Sequence, residues 1–329
     1  EEQVGVDAMS SSKKNPLSGA SDAWAELRSE FDKASAELQD GAAVQADEIK
    51  KRAHRLQHTV TKLGATAAVA SGPEDPGVVA VAAEAVESYT AALGTLMACR
   101  KGAGPSLNGE LKKVAADLST ALVALGAAIG TSSMAMCTGK VLEKVEQLER
   151  VPIHNKAAIR KRILLSLAQA RDASKELDTS LKAGEKGDEE ADEDIDDDSF
   201  LDDELEPGER RVVEAVQRFA DAIQEVLKQA SMYCSPKPLP ESDASAPPLS
   251  IDALEEVATL ASQSTKALDG LICHCTGGFD EANFSASIVE AEEVVRNCAG
   301  FATVVGGDTV VQRLQDGLES MREAARTVE

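Results

Sequence analysis

Residues 185–206 read EKGDEEADEDIDDDSFLDDELE, and this stretch decides how the rest of the chain is organised. It holds 14 acidic residues and one basic residue, Lys186. Carboxylates at this density cannot enter a hydrophobic core, because removing unpaired charges from water costs far more than packing returns. Such runs are typical of solvated tethers. We therefore predict a disordered acidic linker over residues 184–207, with a folded body on each side of it.

Both sides of the linker have the composition of packed helices. The chain has 329 residues, which is long enough for two domains that each bury a core. Aromatic residues make up 3% of it, and Trp24 is the single tryptophan. Small and aliphatic side chains favour helices over sheets, which are richer in aromatic and β-branched residues. The predicted fold class is all-α, with two antiparallel up-and-down helical bundles joined by the acidic linker.

Apolar residues at steps of three and four place the helices and their buried sides. We predict a disordered N-terminus over residues 1–18, an N-terminal bundle of five to six helices over 19–183, and a C-terminal four-helix bundle over 208–329. The third helix is predicted to bury Val79, Val86, Tyr89, Leu93 and Leu96. The sixth, from Asn155 to Lys182, is predicted to bury Ile159, Ile163, Leu167, Ala170, Leu177 and Leu181. All 11 prolines lie outside these helices or at their margins, which supports the segmentation.

The charge and the cysteine usage exclude several classes of protein. A net charge of −23 disfavours direct binding to nucleic acid, because phosphate contacts require clustered Lys and Arg. Six scattered cysteines in a chain with ample apolar residues indicate a reducing compartment. No apolar run reaches the length of a membrane helix, and the N-terminus lacks a hydrophobic signal core. We therefore expect an intracellular protein that does not bind membranes.

Candidate catalytic and metal-binding residues are few and incomplete. His54 and His58 lie one helical turn apart, but no third ligand accompanies them. Cys273, His274 and Cys275 form a CHC triplet that lacks the second ligand pair of a structural zinc site. No nucleophile elbow and no phosphate-binding glycine loop occurs in the sequence. We predict no catalytic residues, no cofactor, no metal and no enzymatic activity.

Two charged segments could instead contact a partner. Ser199 lies between acidic runs, which is the context that acid-directed kinases prefer. Phe200 and Leu201 form an apolar island in the acidic linker, which could dock into a partner's groove or pack against its own bundle. The second helix carries a basic face that could meet phosphate, the acidic linker or only water. This face comprises Lys50, Lys51, Arg52, Arg55 and Lys62.

The segment 151–181, VPIHNKAAIRKRILLSLAQARDASKELDTSL, resembles the cyclin-D-binding (GCIP-type, maternal-Id-like) family. In that family a proline and an NKAA run open a long helix at the corresponding place. The order of a helical half, an acidic middle with an apolar island and a shorter helical half is similar too. The motif residues in this chain are Pro152, Asn155, Lys156, Ala157 and Ala158.

The resemblance implies a protein-interaction regulator without enzymatic activity. It implies a protein of the cytoplasm and nucleus that binds D-type cyclin, helix-loop-helix transcription factors or both, and so restrains cell-cycle progression or transcription. The alternative is a vinculin- or talin-like cytoskeletal adaptor, because alanine-rich up-and-down bundles fit that class equally well. Co-sedimentation with filamentous actin discriminates between the two.

Overall fold

A computed structural model describes residues 18–33, 46–183, 205–235, 249–275 and 279–328, and these residues form helices and no strands. The all-α fold class is therefore confirmed. In chain order the helices are α1 (Ser18–Lys33), α2 (Ala46–Val69), α3 (Pro76–Arg100), α4 (Pro105–Ala128), α5 (Met134–Glu149), α6 (Asn155–Ala183), α7 (Pro207–Tyr233), α8 (Ile251–Cys273), α9 (Glu281–Gly300), α10 (Ala302–Val305) and α11 (Asp308–Ala325).

The helix starts follow from local sequence chemistry. Proline is the first residue of α3, α4 and α7, where its missing N–H costs no helical hydrogen bond. The Ser250 hydroxyl accepts a hydrogen bond from the Ala253 N–H at 3.2 Å and caps α8. At the start of α7, the end of the acidic stretch forms a capping box between Glu206 and Glu209.

The first of two compact units extends to His154 and contains α1–α5. Its helices close into a ring: α2 packs on α3 and α5, α4 packs on α1 and α5, and α1 also packs on α3. The interior is filled by fully buried large side chains, which are Trp24, Leu56, Leu63, Tyr89, Leu96, Leu107, Leu111, Leu118 and Leu122. The single tryptophan therefore anchors α1 inside this bundle.

The second unit begins at Asn155 and contains α6–α11, so the predicted boundary after residue 183 differs from the structure. α6 packs along α7 and α8, and its buried residues belong to the core of this unit. α7 also packs on α11, and α9 packs on α8 and α11, which closes a ring of five long helices where we predicted four. The sequence analysis assigned α6 to the first bundle, because an apolar stripe does not specify which helices pack against it.

The ends of the predicted acidic linker and N-terminus are fixed by helices. α7 begins at Pro207 and α1 at Ser18. Leu205 packs against the core of the second unit. The remainder of both predicted segments, residues 1–17 and 184–204, lies outside the described residues, so the prediction of disorder there stays a prediction.

The buried side of α3 differs from the predicted one. Val79 is 37% exposed and Val86 is half-buried, whereas Val78, Ala82 and Ala85 are buried. The sequence VVAVAAEAV is apolar on every side of the helix, so spacing alone does not select the inward positions. Tyr89, Leu93 and Leu96 are buried as predicted.

None of the helices in the described ranges is both long and apolar enough to cross a lipid bilayer.

Candidate protein-interaction site

The NKAA segment forms the first turn of α6. Val151 and Pro152 are buried immediately before the helix, and α6 begins at Asn155. Ala158 and Ile159 are fully buried, and Ile159 belongs to the core of the second unit. The motif therefore positions the start of a packed helix.

Lys156 of the motif and Arg160, which follows it, contact the C-terminal end of α7. The Lys156 ammonium nitrogen lies 5.1 Å from the ring centroid of Tyr233, and Arg160 Nε donates a hydrogen bond to the Ser231 carbonyl oxygen at 3.2 Å. The last carbonyl groups of a helix lack helical partners and carry partial negative charge, so cations stabilise this end. Lys156 and Arg160 therefore hold α6 against α7.

A third basic residue reaches the other neighbour of α6. Arg162 forms an ion pair with Glu255 near the start of α8, with 3.7 Å between a guanidinium nitrogen and a carboxylate oxygen. The Glu255 side chain is mostly buried, which limits screening of the pair by water. The RKR sequence after the motif thus ties α6 to α7 and α8.

The thiol beside this cluster is not a nucleophile. Cys234 is fully buried, and this burial raises the pKa of its thiol to about 11, although Lys156 and Arg160 act in the opposite direction. The reactive form of cysteine is the thiolate, which is scarce at neutral pH when the pKa is this high. Cys234 therefore packs as a small apolar side chain.

The side of α6 opposite its buried stripe carries apolar residues that remain exposed among the described residues. Leu164 is 41% exposed and Leu165 is 59% exposed, and Ala168 is exposed one turn further along. We call Leu164, Leu165 and Ala168 the outer face of α6. Exposed Lys161 and Arg171 flank it. Adjacent exposed leucines beside cations can contact an apolar partner surface that is edged with acid.

The first unit has a cleft of about 890 Å³ between α2, α5 and the turns next to them. Its walls are small or uncharged residues: Thr61, Gly64, Ala65, Ala67, Ala68, Ala70, Ser71, Gly72, Pro73, Ile129, Gly130, Thr131, Ser132, Met134, Ala135 and Thr138. Gly130 has a φ of +80° and makes the turn between α4 and α5. These walls offer apolar contacts and hydroxyl groups, and they carry no side chain suited to acid–base catalysis.

The basic face of α2 is largely neutralised by acidic residues. Arg52 pairs with Glu48 at 2.6 Å, Arg55 with Glu87 at 3.1 Å, and Lys62 with Glu84 at 2.8 Å. These exposed ion pairs contribute little to stability, but they reduce the attraction of this face for phosphate or for the acidic linker. The structure therefore favours the interpretation of a solvated surface.

In the described residues, neither the pair His54 and His58 nor the CHC triplet of residues 273–275 belongs to a cluster of metal ligands. His54 Nε2 lies 3.3 Å from a carboxylate oxygen of Glu149, which is within hydrogen-bonding distance. Cys273 is exposed, whereas Cys275 is buried with its pKa raised to about 12 by that burial. No group of three or more potential ligands occurs in the described parts of the chain.

Ser199, Phe200 and Leu201 lie outside the described residues, so these predictions remain untested. The outer face of α6 was missed by the sequence analysis. A signal was present, because Ile163, Leu164, Leu165 and Leu167 place four apolar residues within five positions, more than one buried stripe can hold.

Comparison with known proteins identifies the N-terminal part of the chain. Comparison with curated proteins finds no match to the chain. Residues 48–183, from α2 to the end of α6, match the family model described as Grap2 and cyclin-D-interacting, N-terminal. The motif helix and its outer face lie inside this match. The match over residues 48–183 therefore supports the resemblance of this part of the chain to the Grap2 and cyclin-D-interacting (GCIP) protein family.

Proposed function

We propose that this protein is a non-enzymatic interaction regulator that binds a D-type cyclin, helix-loop-helix transcription factors or both, and so restrains cell-cycle progression or transcription. The observation that carries the proposal is the match of residues 48–183 to a family described as cyclin-D-interacting. We further propose that it works in the cytoplasm and nucleus, through protein contacts and without direct binding to nucleic acid.

The outer face of α6 is the proposed cyclin contact. It lies within the matched residues, and its two leucines are exposed although they follow the buried core residue Ile163. Burying an aliphatic side chain contributes about 1.5–3 kcal/mol, so two adjacent leucines can supply a large part of the binding free energy of an interface. Lys161 and Arg171 would favour a partner surface with acidic residues around an apolar centre.

Binding of purified D-type cyclin to residues 1–329 tests this proposal. We expect the double change Leu164→Ser and Leu165→Ser to weaken binding at least tenfold, measured by biolayer interferometry. Val289→Ser is the matched control, because Val289 is 63% exposed on α9 and lies outside the family match. Circular dichroism melts of all variants would verify that each one is folded.

Each outcome of the binding experiment is informative. If the unmodified chain does not bind the cyclin, the proposed partner is wrong. If it binds and the leucine variant binds equally well, the partner stands and the outer face of α6 is not the contact. A loss of binding in the Val289→Ser control would contradict the same surface assignment.

The acidic segment is a second proposed contact, for helix-loop-helix factors. Many such factors carry a basic region, and a dense acidic run attracts a basic segment over a long range and speeds association. Phe200 and Leu201 would then dock into the partner. We expect their replacement by alanine to reduce capture of a basic helix-loop-helix domain. Equal capture by both forms would exclude the docking island.

Phosphorylation of Ser199 would add about −1.5 to −2 charge next to this island. Treatment with an acid-directed kinase, followed by mass spectrometry, should place a phosphate on Ser199 that is lost in Ser199→Ala.

Co-sedimentation of the protein with filamentous actin would contradict the regulatory role and favour the cytoskeletal alternative.

A further inference from the structure

The second unit is assembled from two chain segments whose described residues meet through side-chain packing and polar contacts. α6 is one segment, and α7–α11 form the other. Residues 184–204 join them in the sequence, and at most roughly 3.6 Å per residue this segment can span about 75 Å. The connection is therefore long compared with α6, which is about 43 Å in length at 1.5 Å per residue.

α6 occupies a groove between α7 and α8 as an amphipathic helix. Ile159, Ile163 and Leu177 are fully buried in it, and Leu167 and Ala170 are 5% exposed or less. These positions follow the spacing of helix-in-groove recognition, in which one apolar stripe fills the acceptor. Without α6, the apolar residues of α7 and α8 that face this stripe would lose their cover.

Polar contacts set the direction and register of α6 in the groove. At its start, Arg160 bonds to the Ser231 carbonyl oxygen near the end of α7. Further along, Gln217 Nε2 donates to the Ser174 hydroxyl at 2.7 Å. Because residue 160 pairs with 231 and residue 174 with 217, α6 runs antiparallel to α7. The groove therefore suits a helix that has this apolar stripe, runs antiparallel to α7 and carries basic residues near its start.

We propose that the groove between α7 and α8 is a helix-binding site and that α6 is its exchangeable ligand, so that α6 of a second copy can occupy it. Exchange of an identical element between copies keeps every native contact and is a common route to dimers. Because residues 184–204 join the chain's own α6 covalently to α7, this α6 competes with any second helix for the groove, and cleavage within residues 184–204 should favour exchange.

The test uses the full chain with a specific protease site inserted between residues 187 and 198. After folding and cleavage, we expect the two pieces to elute together in size-exclusion chromatography. A fluorescent peptide of residues 155–183 should then enter the cleaved protein, and enter the uncleaved protein at least tenfold less at the same concentration, as measured by fluorescence anisotropy.

Two peptide variants separate groove binding from nonspecific association. Ile163→Asp places a charge in the buried stripe and should reduce entry at least tenfold. Leu165→Asp adds the same charge on the outer face of α6 and should leave entry within about twofold. The proposal is overturned if the cleaved pieces separate, if the unmodified peptide does not enter, or if the two variants behave alike.

Discussion

The guanidinium group of Arg100, at the end of α3, lies over the ring of Phe31 in α1, with 4.8 Å from its central carbon to the ring centroid. The same group donates a hydrogen bond to the Phe31 carbonyl oxygen, and its Nε donates to Asn108 Oδ1 of α4 at 2.8 Å. Arg100 is only 3% exposed. One buried side chain therefore joins three helices of the first unit.

Replacing Arg100 with methionine should destabilise the protein. The change keeps an apolar stem but leaves the buried Phe31 carbonyl oxygen and the half-buried Asn108 side-chain oxygen without their donor. An orphaned buried acceptor costs about 1–3 kcal/mol, and the half-buried one should cost less because water can reach it. Urea denaturation would measure the loss. Lys113→Met, at an exposed position of α4, should change stability by less than about 0.5 kcal/mol. Equal stability of the two variants would contradict the role of Arg100.

The contact between α1 and α4 depends on a glycine. A Cβ atom on Gly126 would lie 3.0 Å from Trp24 Cζ3 and would overlap Ser21 Oγ. The serine can rotate away, but the fully buried indole ring cannot move without disturbing the core. We expect Gly126→Ala to destabilise the protein by about 1–3 kcal/mol through overpacking, despite the better helix propensity of alanine.

A second glycine of α4 provides the control for that experiment. Gly109 is exposed, and an added Cβ would meet nothing within 4 Å. Gly109→Ala should therefore stabilise the protein, by up to about 1 kcal/mol from helix propensity. If thermal melts showed both changes to be stabilising, the close packing of Trp24 on Gly126 would be wrong.

The division into two units predicts a local effect of core disruption. Leu118 is fully buried in α4, and Leu118→Asp would place an unpaired charge in the first unit at a cost of several kcal/mol. Hydrogen exchange measured by mass spectrometry should increase across α2–α5, and less across α7 and α8. Ile223→Asp, in the core of the second unit, should produce the reverse pattern. Uniform exchange in both variants would contradict the division.

Buried thiols predict a loss of stability in alkaline solution. Burial raises the pKa of Cys298 from 9.0 to about 12, because the thiolate is poorly solvated in the core. The folded protein then holds this proton more tightly than the unfolded chain does. The resulting stabilisation is complete below about pH 9 and falls as the pH rises from 9 towards 12.

Urea denaturation between pH 7 and pH 11 measures this effect. Because lysines and other cysteines also titrate in this range, the comparison is between the unmodified protein and Cys298→Ala. The variant should lose stability less steeply above pH 9. Cys273→Ala is the matched control, because Cys273 is exposed, and its slope should equal that of the unmodified protein. Parallel slopes for all three proteins would contradict the burial of Cys298.

The outer face of α6 indicates how far a site can be read from sequence. The NKAA segment located the motif helix, and its start at Asn155 is where the structure places it. The partners of Lys156 and Arg160 could not be predicted, because Tyr233 and Ser231 lie more than 70 residues away from them in the chain. Similarly, only the structure identified which leucines of the ILLSL run point outward.

The sequence by itself determined the helical fold class and most of the buried face of α6. Prolines and polar caps end helices through local backbone chemistry, and a stripe of apolar residues at a spacing of 3.6 needs no tertiary information. On α3 this information was insufficient, because apolar residues surround the helix and leave Val78 and Val79 equivalent.

Only the tertiary structure decided that α6 completes the second unit instead of the first. The hydrophobic effect is proportional to the apolar area that is removed from water, and it has no direction. The buried stripe from Ile159 to Leu177 would gain similar free energy against any apolar groove of the right shape. The choice of α7 and α8 rests on shape and on long-range polar contacts such as Arg162 with Glu255, which exist only once both segments are folded.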